Sequence, residues 1–210
     1  DAYILKTQRP HKLRPRTSLK KEVVFLQQLE GVEGLNVPRV IGYGHPEPLI
    51  EYTLMTRMPG IAFRNAKLTG EPRQQALMGL GRMLRRVHVI PQEKLRDSNL
   101  FFGDQSGVDI RWRMGSVFDD LAELVHRDGK NWTYPLAPDV IVRRLMHTLP
   151  VKKVIVALHS NPGPEHTFVD PATGELNGII DFGEAYFSHP VNELRRYRAP
   201  AARGAGRAGF

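Results

Sequence analysis

The segment LHSNPGPEHTFVDPATGELNGIIDFGEA, residues 158–185, decides the fold. Its apolar runs at 167–169 and 176–180 flank the turn-forming residues 170–174, so the pattern predicts a β-hairpin of two buried strands. The second strand runs directly into Asp181-Phe182-Gly183, which places a carboxylate where a strand becomes a loop.

Polar side chains lie only at the outer ends of this hairpin. His159, Asn161 and His166 precede or begin its first strand, and Asp181 follows its second. Because a hairpin brings its ends together, we expect Asn161, His166 and Asp181 to share one pocket. Imidazole and carboxylate can both bind a divalent ion, and a nucleotide-bound Mg²⁺ needs only one or two protein ligands. The alternative is a polar turn in which Asp181 caps the next element.

A second pair of charged residues lies near the start of the chain. Residues 2–6 read as a strand that ends at Lys6, and apolar residues at helical spacing predict a helix over 19–29 that carries Glu22. If that helix packs on the sheet, Glu22 can hold the Lys6 ammonium group over a phosphate tail. The alternative is an exposed glutamate and an unrelated edge lysine.

The rest of the pattern predicts a strand-rich first part and a mainly helical second part. Residues 58–60, Met-Pro-Gly, break the strand pattern, and we place a boundary there. Further elements are predicted as strands at 40–41 and 49–55 around a turn at 42–48, helices at 72–88, 118–125 and 140–149, and a strand at 154–158. Thr17 or Ser18 is the predicted cap of the first helix.

Composition narrows the classes of function. The net charge is +8, from 30 basic and 22 acidic residues, which favours an anionic partner such as a nucleotide or nucleic acid. The sequence has no recognisable nucleic-acid module, so nucleic acid is the weaker alternative. It also has no cysteine and no apolar run near the roughly 18 residues of a membrane span, and we expect a cytoplasmic protein without a membrane partner.

The order of these features resembles that of the aminoglycoside phosphotransferase family, a branch of the kinase-like small-molecule phosphotransferases. The resemblance covers nearly the whole chain. Four stretches carry it: VPRV at 37–40, LMTRMPG at 54–60, LRRVH at 84–88 and, above all, residues 159–185. Asp-Phe-Gly alone is a weak motif, but the ordered set is specific.

The resemblance implies an α+β, bilobal, protein-kinase-like fold. Residues 1–58 would form part of a small β-sheet lobe with one helix, and residues 59–210 a larger, mainly helical lobe. It also implies a phosphate-covering loop and two strands upstream of Ala2, and a further helical segment downstream of Phe210.

The resemblance also assigns roles to individual residues. Lys6, braced by Glu22, would orient the phosphates of ATP or GTP, and the connector around Met55 and Arg57 would bind the base. Asp181 and His166 would hold Mg²⁺. The catalytic loop would contain His159, with Asn161 at the position of the catalytic base.

Two departures from the family pattern fall in that loop. The family's His-Gly-Asp-x-x-x-x-Asn is HSNPGPEH here, at 159–166. Histidine at the last position resembles macrolide-kinase-like members and can still bind a metal. Asn161 is the more serious change, because an amide cannot accept a proton near neutral pH. Loss of a general base slows a reaction by about 10²- to 10⁴-fold, although phosphoryl transfer depends mostly on positioning.

The resemblance therefore implies transfer of a γ-phosphoryl group to a hydroxyl of a small molecule, such as an aminoglycoside- or macrolide-like antibiotic or a metabolite. Asn161 would impair that activity. The alternative is a non-catalytic, nucleotide-binding pseudokinase.

Overall fold

The chain forms a mixed α+β structure. The computed structural model describes residues 2–7, 19–47, 50–103, 119–120, 123, 125–127, 135–148 and 154–196. Residues 1–102 and 156–210 form one compact unit, and residues 103–155 form a second. The boundary predicted after Met58 rests on the sequence pattern and stays a prediction.

The described elements are short strands and helices of very different length. The strands are β1 (Tyr3–Thr7), β2 (Val40–Glu47), β3 (Ile50–Thr56), β4 (Ile61–Ala62), β5 (Val156–Leu158), β6 (Thr167–Val169), β7 (Leu176–Ile179) and β8 (Tyr186–Ser188). The α-helices are α1 (Leu19–Leu29), α2 (Phe63–Ala66), α3 (Gly70–Val89), α4 (Glu93–Asp97) and α5 (Pro138–Thr148). Two 3₁₀ helices cover Phe182–Glu184 and Pro190–Arg196.

The first sheet has the strand order β1-β3-β2 and is antiparallel throughout, with Lys6 opposite Thr53. The turn predicted over 42–48 is wrong, because residues 42–47 belong to β2. Gly44 in β2 leaves room for a side chain of the neighbouring strand. A side chain at this position would lie 2.4 Å from the ring of Tyr52 on β3. The glycine therefore marks a close approach within the sheet rather than a reversal of the chain.

Helix α1 spans the predicted residues and buries one face. Its buried Phe25, Leu26 and Leu29 belong to the main core, each contributing on the order of 1.5–3 kcal/mol by leaving water. Gly31 and Gly34, with φ of 76° and 69°, turn the chain away from the helix end. The predicted caps Thr17 and Ser18 lie outside the described residues.

The predicted hairpin is present as β6 and β7, which pair antiparallel with Thr167 opposite Ile179. Between them the Asp170 carboxylate accepts hydrogen bonds from the backbone N–H groups of Ala172 and Thr173, at 2.8 and 2.9 Å, and closes the turn. Strand β4 extends this sheet on the β6 side.

The other predicted elements differ mainly in their bounds. The helix predicted from Pro72 begins at Gly70, the one predicted over 140–149 is Pro138–Thr148, and the strand predicted over 154–158 begins at Val156. Of the helix predicted over 118–125, the described residues 119–120, 123 and 125 are helical. Strand β8, which pairs with β5, was not predicted. None of the helices in the described ranges combines the length and apolar character needed to cross a bilayer.

Candidate active site

An ammonium group between two carboxylates is the centre of the candidate site. Lys6 Nζ on β1 donates to Glu22 Oε2 on α1 at 2.7 Å and to Asp181 Oδ1 beyond β7 at 2.6 Å. The contact of Lys6 with Glu22 that the sequence predicts is therefore present, and Asp181 joins it. Three elements widely separated in sequence meet at one side chain.

The three groups differ in exposure, and their pKa values reflect it. Glu22 is almost fully buried, whereas the side chains of Lys6 and Asp181 are 35% and 34% exposed. Burial raises the pKa of the Glu22 carboxyl, against the attraction of Lys6. Burial alone would also raise the pKa of Asp181, but attraction and hydrogen bonding by Lys6 outweigh it and lower that pKa. Burial acts to lower the pKa of Lys6, and the two carboxylates raise it overall. The ammonium group is thus held charged.

Asp181 does not cap the element that follows it, which excludes the alternative of a simple polar turn. Its residue precedes the 3₁₀ helix Phe182–Glu184, but its side chain makes no capping hydrogen bond there. The backbone has φ 71° and ψ 64°, a left-handed conformation that aspartate tolerates better than most residues. This conformation directs the carboxylate towards Lys6 and His166.

His166 and Asp181 form the candidate metal-binding pair. A backbone bond from Ile180 N–H to the His166 carbonyl, at 3.0 Å, holds the two hairpin ends together. His166 Nδ1 lies 2.8 Å from the Asn161 carbonyl oxygen, which can only accept, so Nδ1 carries the hydrogen. In the neutral ring Nε2 then carries a lone pair, and this nitrogen lies 3.3 Å from Asp181 Oδ2.

Two acceptors that face each other at this distance need a cation or a proton between them. The pair therefore fits a divalent ion on the chemistry of its donors, a neutral imidazole nitrogen and a carboxylate oxygen. Within the described ranges no group of three or more His, Asp or Glu side chains could hold a metal. Among the described residues the pair accordingly offers one nitrogen and one oxygen ligand.

His159 lies beneath this site and is fully buried. Its Nδ1 accepts the Asn161 N–H at 3.2 Å, so its Nε2–H donates to the Ile180 carbonyl oxygen at 2.8 Å. Its ring also contacts that of Phe182 at 4.4 Å between centroids. Burial lowers the pKa of His159, so the ring is neutral. The residue joins the loop at 159–166 to the strand that precedes Asp181.

The backbone of the same loop is also held from below. Ser160 has φ 79°, and its N–H donates to Oε1 of the fully buried Glu193 at 3.2 Å. Asn161 is half-buried, and its Oδ1 has no hydrogen-bond partner among the residues that the structure describes. Backbone contacts thus fix the loop, while the side-chain oxygen of Asn161 is left unsatisfied.

Met55 and Arg57 are the residues predicted to bind the base. Among the described residues, no side-chain hydrogen bond joins either of them to Lys6, Glu22 or Asp181. The Met55 side chain belongs to the hydrophobic core. Arg57 is exposed, and its backbone N–H donates to the Ala2 carbonyl at 2.9 Å. Their role in binding the base stays a prediction.

Sequence reasoning missed two buried charged residues that position α1. Lys21 Nζ donates to the Ala185 carbonyl at 3.0 Å, just past Asp-Phe-Gly. Glu51 on β3 accepts the backbone N–H groups of Leu19 and Lys20. The signal available for Glu51 is an acidic residue that shares the alternating buried face of a strand with Thr53 and Met55.

In this mixed α+β fold a strand lysine therefore lies between a helix glutamate and the aspartate of Asp-Phe-Gly. The sequence model of the phosphotransferase enzyme family matches residues 1–202. The chain belongs to that family.

Curated relatives are aminoglycoside 3'-phosphotransferases of two Streptomyces species. The Streptomyces fradiae protein is 24% identical over 150 residues, and the Streptomyces ribosidificus protein is 25% identical over 151 residues. Each match covers 71% of this chain and 53% of the relative. The chain thus spans about half the length of the curated relatives it matches.

Solved structures confirm the likeness in fold. An aminoglycoside-3'-phosphotransferase of type VIII has a TM-score of 0.55 at 20% identity, covering 92% of this chain and 68% of its own. The GDP complex of aminoglycoside 2'-phosphotransferase-IIIa has a TM-score of 0.59 at 18% identity, and the match covers 88% of this chain and 62% of that protein. The streptomycin–ATP–APH(2")-IIa ternary complex has a TM-score of 0.55 at 18% identity, and the match covers 91% of this chain and 63% of that protein. The second of these structures holds GDP, and the third holds ATP and streptomycin.

Proposed function

We propose that this protein is an ATP- or GTP-dependent phosphotransferase that acts on a hydroxyl of a small molecule, with an aminoglycoside- or macrolide-like antibiotic or a related metabolite as substrate. The observation that carries the proposal is the position of Lys6 Nζ between Glu22 and Asp181. The solved complexes with GDP and with streptomycin and ATP support the substrate classes. We further propose the bilobal arrangement of the kinase-like fold and a cytoplasmic location, where both nucleotides are present.

In this proposal the chain's own residues mainly orient and neutralise. Lys6 contacts the nucleotide phosphates while Glu22 keeps its ammonium group charged and in place. Asp181 Oδ2 and His166 Nε2 would hold a magnesium ion, which when bound neutralises phosphate charge. His159 and Glu193 keep the loop at 159–166 in one conformation. Preorganised charge of this kind supplies most of the acceleration in phosphoryl transfer.

Position 161 provides no base to accept the proton of the substrate hydroxyl. The substrate oxygen forms its bond to the γ-phosphorus as the bond from that phosphorus to the β–γ bridging oxygen breaks, and the nucleoside diphosphate leaves. Since the Asn161 amide cannot take the proton, it passes to solvent water. Asn161 can orient the hydroxyl through Oδ1, which is unsatisfied within the described residues. Turnover is therefore slow while binding is preserved.

The test is nucleotide binding and phosphate transfer by the 210-residue chain. We expect calorimetry to detect Mg-ATP or Mg-GTP binding, which Lys6→Met and Asp181→Asn each weaken at least tenfold. The matched control Lys94→Met, at an exposed lysine on α4, should bind like the original. Transfer of labelled phosphate is then measured with aminoglycosides, macrolides and hydroxylated metabolites. Failure to bind either nucleotide would overturn the proposal.

The amide of Asn161 at the position of the catalytic base, which cannot accept a proton, favours a second candidate, a nucleotide-binding pseudokinase without catalytic activity. Tight binding of Mg-nucleotide with no transfer to any acceptor, by this chain or by Asn161→Asp, would decide for it.

A further inference from the structure

We propose that Glu51 is a positioning residue that fixes the first turn of α1 and, through it, the placement of Glu22 on Lys6. The inference deepens the proposed function, and its importance for nucleotide binding rests on that function. Its geometric core, the control of Lys6 by Glu51, can be tested without any nucleotide.

Glu51 binds the start of α1 from the neighbouring sheet. Its side chain lies on β3, and the residue is only 7% exposed. Its Oε2 accepts the N–H of Leu19 at 3.1 Å, and its Oε1 accepts the N–H of Lys20 at 2.7 Å. Both N–H groups belong to the first turn, where a helix has no internal acceptors and where negative charge is favourable. One carboxylate thus caps two donors of the helix.

Tyr43 on β2 fixes the orientation of this carboxylate. Its hydroxyl donates to Glu51 Oε1 at 3.0 Å. Burial of the phenol, together with hydrogen bonding and charge from Glu51, raises the pKa of Tyr43 to about 12, so the hydroxyl remains a donor. The cap is therefore part of the sheet, and it ties the start of α1 to β2 and β3 at once.

The two residues directly after the capped positions reach the site. Glu22 accepts the ammonium of Lys6 at 2.7 Å and is also hydrogen-bonded to the backbone of Phe182. Lys21 donates to the Ala185 carbonyl at 3.0 Å. The first turn of α1 therefore contacts both Lys6 and the Asp-Phe-Gly segment.

The other end of α1 is held differently, by apolar packing. Phe25 contacts the ring of Phe182 at 4.9 Å, and Leu26 and Leu29 are buried in the core. Such packing limits translation of the helix more than it limits rotation of the first turn, because apolar contacts are not directional. The two hydrogen bonds to Glu51 are directional and add to those made by Lys21 and Glu22 in fixing this turn. A rotation of about 100°, the angle between successive helical residues, would carry Glu22 away from Lys6.

The first experiment measures the reactivity of Lys6 towards a lysine-acylating reagent, site by site, by mass spectrometry. An ammonium group held by two carboxylates reacts slowly. We expect Glu51→Ala to raise the Lys6 rate about fivefold, the size expected from the loss of a helix cap. Glu22→Gln should raise it at least as much, and the double variant no further. Glu51→Gln, which keeps one acceptor oxygen, should fall between Glu51→Ala and the original.

Matched controls separate positioning from a general loss of stability. Gly174→Ala strains a turn away from α1, and its Lys6 rate should equal that of the original protein. Tyr43→Phe removes only the supporting hydroxyl and should change the rate by less than Glu51→Ala does. The exposed Lys94 should react equally in all variants. Circular dichroism confirms that each variant is folded, and Glu51→Gln serves as the readout if Glu51→Ala is not.

The second experiment measures the Mg-ATP dissociation constant of the same variants. We expect Glu51→Ala and Glu22→Gln to weaken binding by similar factors, and the double variant to be less than additive. If the original protein binds no nucleotide, the proposed function fails while the Lys6 reactivity still judges Glu51. An unchanged Lys6 rate in folded Glu51→Ala and Glu51→Gln overturns the inference, as does strict additivity of the two substitutions in the Lys6 rate.

Discussion

Under the proposed function, replacing Asn161 with aspartate should raise the rate of phosphoryl transfer. The substitution exchanges an amide for a carboxylate of nearly the same shape. The two contacts that hold this residue, Asn161 N–H to His159 Nδ1 at 3.2 Å and His166 Nδ1–H to the Asn161 carbonyl at 2.8 Å, are made by its backbone. They survive the change. The new carboxylate gains the one property that the amide lacks, the capacity to accept a proton.

The substitution has two effects, one on the reaction barrier and one on folding stability. A positioned general base contributes about 10²- to 10⁴-fold, or about 2.7–5.4 kcal/mol of the barrier. Against it, a half-buried carboxylate joins a site that already contains Asp181, and we expect this to cost about 1 kcal/mol of folding stability. Because these effects act on different quantities, the variant should be slightly less stable to unfolding and at least about 100-fold faster.

The assay is the initial rate of nucleoside diphosphate release at saturating Mg-ATP, with the acceptor that gives the highest rate in the panel. Calorimetry should show a nucleotide dissociation constant within about threefold of the original. The control Asn65→Asp places the same change on an exposed face of α2 and should leave the rate unaltered. A folded Asn161→Asp protein that binds nucleotide normally and is less than tenfold faster refutes the assignment of position 161 to the base.

Three further perturbations test the fold and the site. Burial lowers the pKa of His159, so the stability that the neutral ring contributes is present above the unfolded pKa near 6.5 and is lost as the pH falls. Urea unfolding between about pH 7.5 and 5.5 should show the free energy of unfolding falling by up to about 1.4 kcal/mol per pH unit below 6.5. The variant His159→Gln should reduce this pH dependence. Gly174→Ala should destabilise by at least about 1–2 kcal/mol in the same assay, since its φ is 74° and the new Cβ would lie 2.2 Å from the Pro72 carbonyl oxygen. Lys6→Met should lower the free energy of unfolding by about 1–3 kcal/mol, which is below the range for breaking a fully buried ion pair because the Lys6 side chain is 35% exposed. Adding Glu22→Gln should restore part of the lost stability, because it removes the unpaired buried charge. If Lys6→Met alone is as stable as the original protein, the ion pair does not stabilise the fold.

The elements that carry Lys6, Glu22 and Asp181 could be predicted from the residue pattern, and the contact of Lys6 with Glu22 was one of the two interpretations that this pattern left open. Strand alternation and helical spacing are local properties, so β1, α1 and the β6–β7 hairpin were placed to within a residue or two. The pattern did not predict that Asp181 contacts Lys6, because it grouped Asp181 only with Asn161 and His166.

Features that depend on distant partners could not be predicted in this way. The strand pairing of residues 42–47 was hidden because Gly44 resembles a turn glycine, and only the ring of Tyr52 shows why it is there. The cap on α1 was sought among its own preceding residues, whereas Glu51 provides it from another strand. A single acidic residue in a strand does not reveal which helix it will meet.

The burial of Phe182 has a consequence for how often the site is assembled. Phe182 is fully buried against the rings of Phe25 and His159, and it directly follows Asp181. A backbone movement that carried Asp181 away from Lys6 by withdrawing that ring would cost about 1.5–3 kcal/mol if the ring became fully exposed. At equilibrium, only about one molecule in 13 to one in 160 would then be in the displaced state. The burial of Phe182 thus favours the backbone position of residue 181 that places its carboxylate next to Lys6.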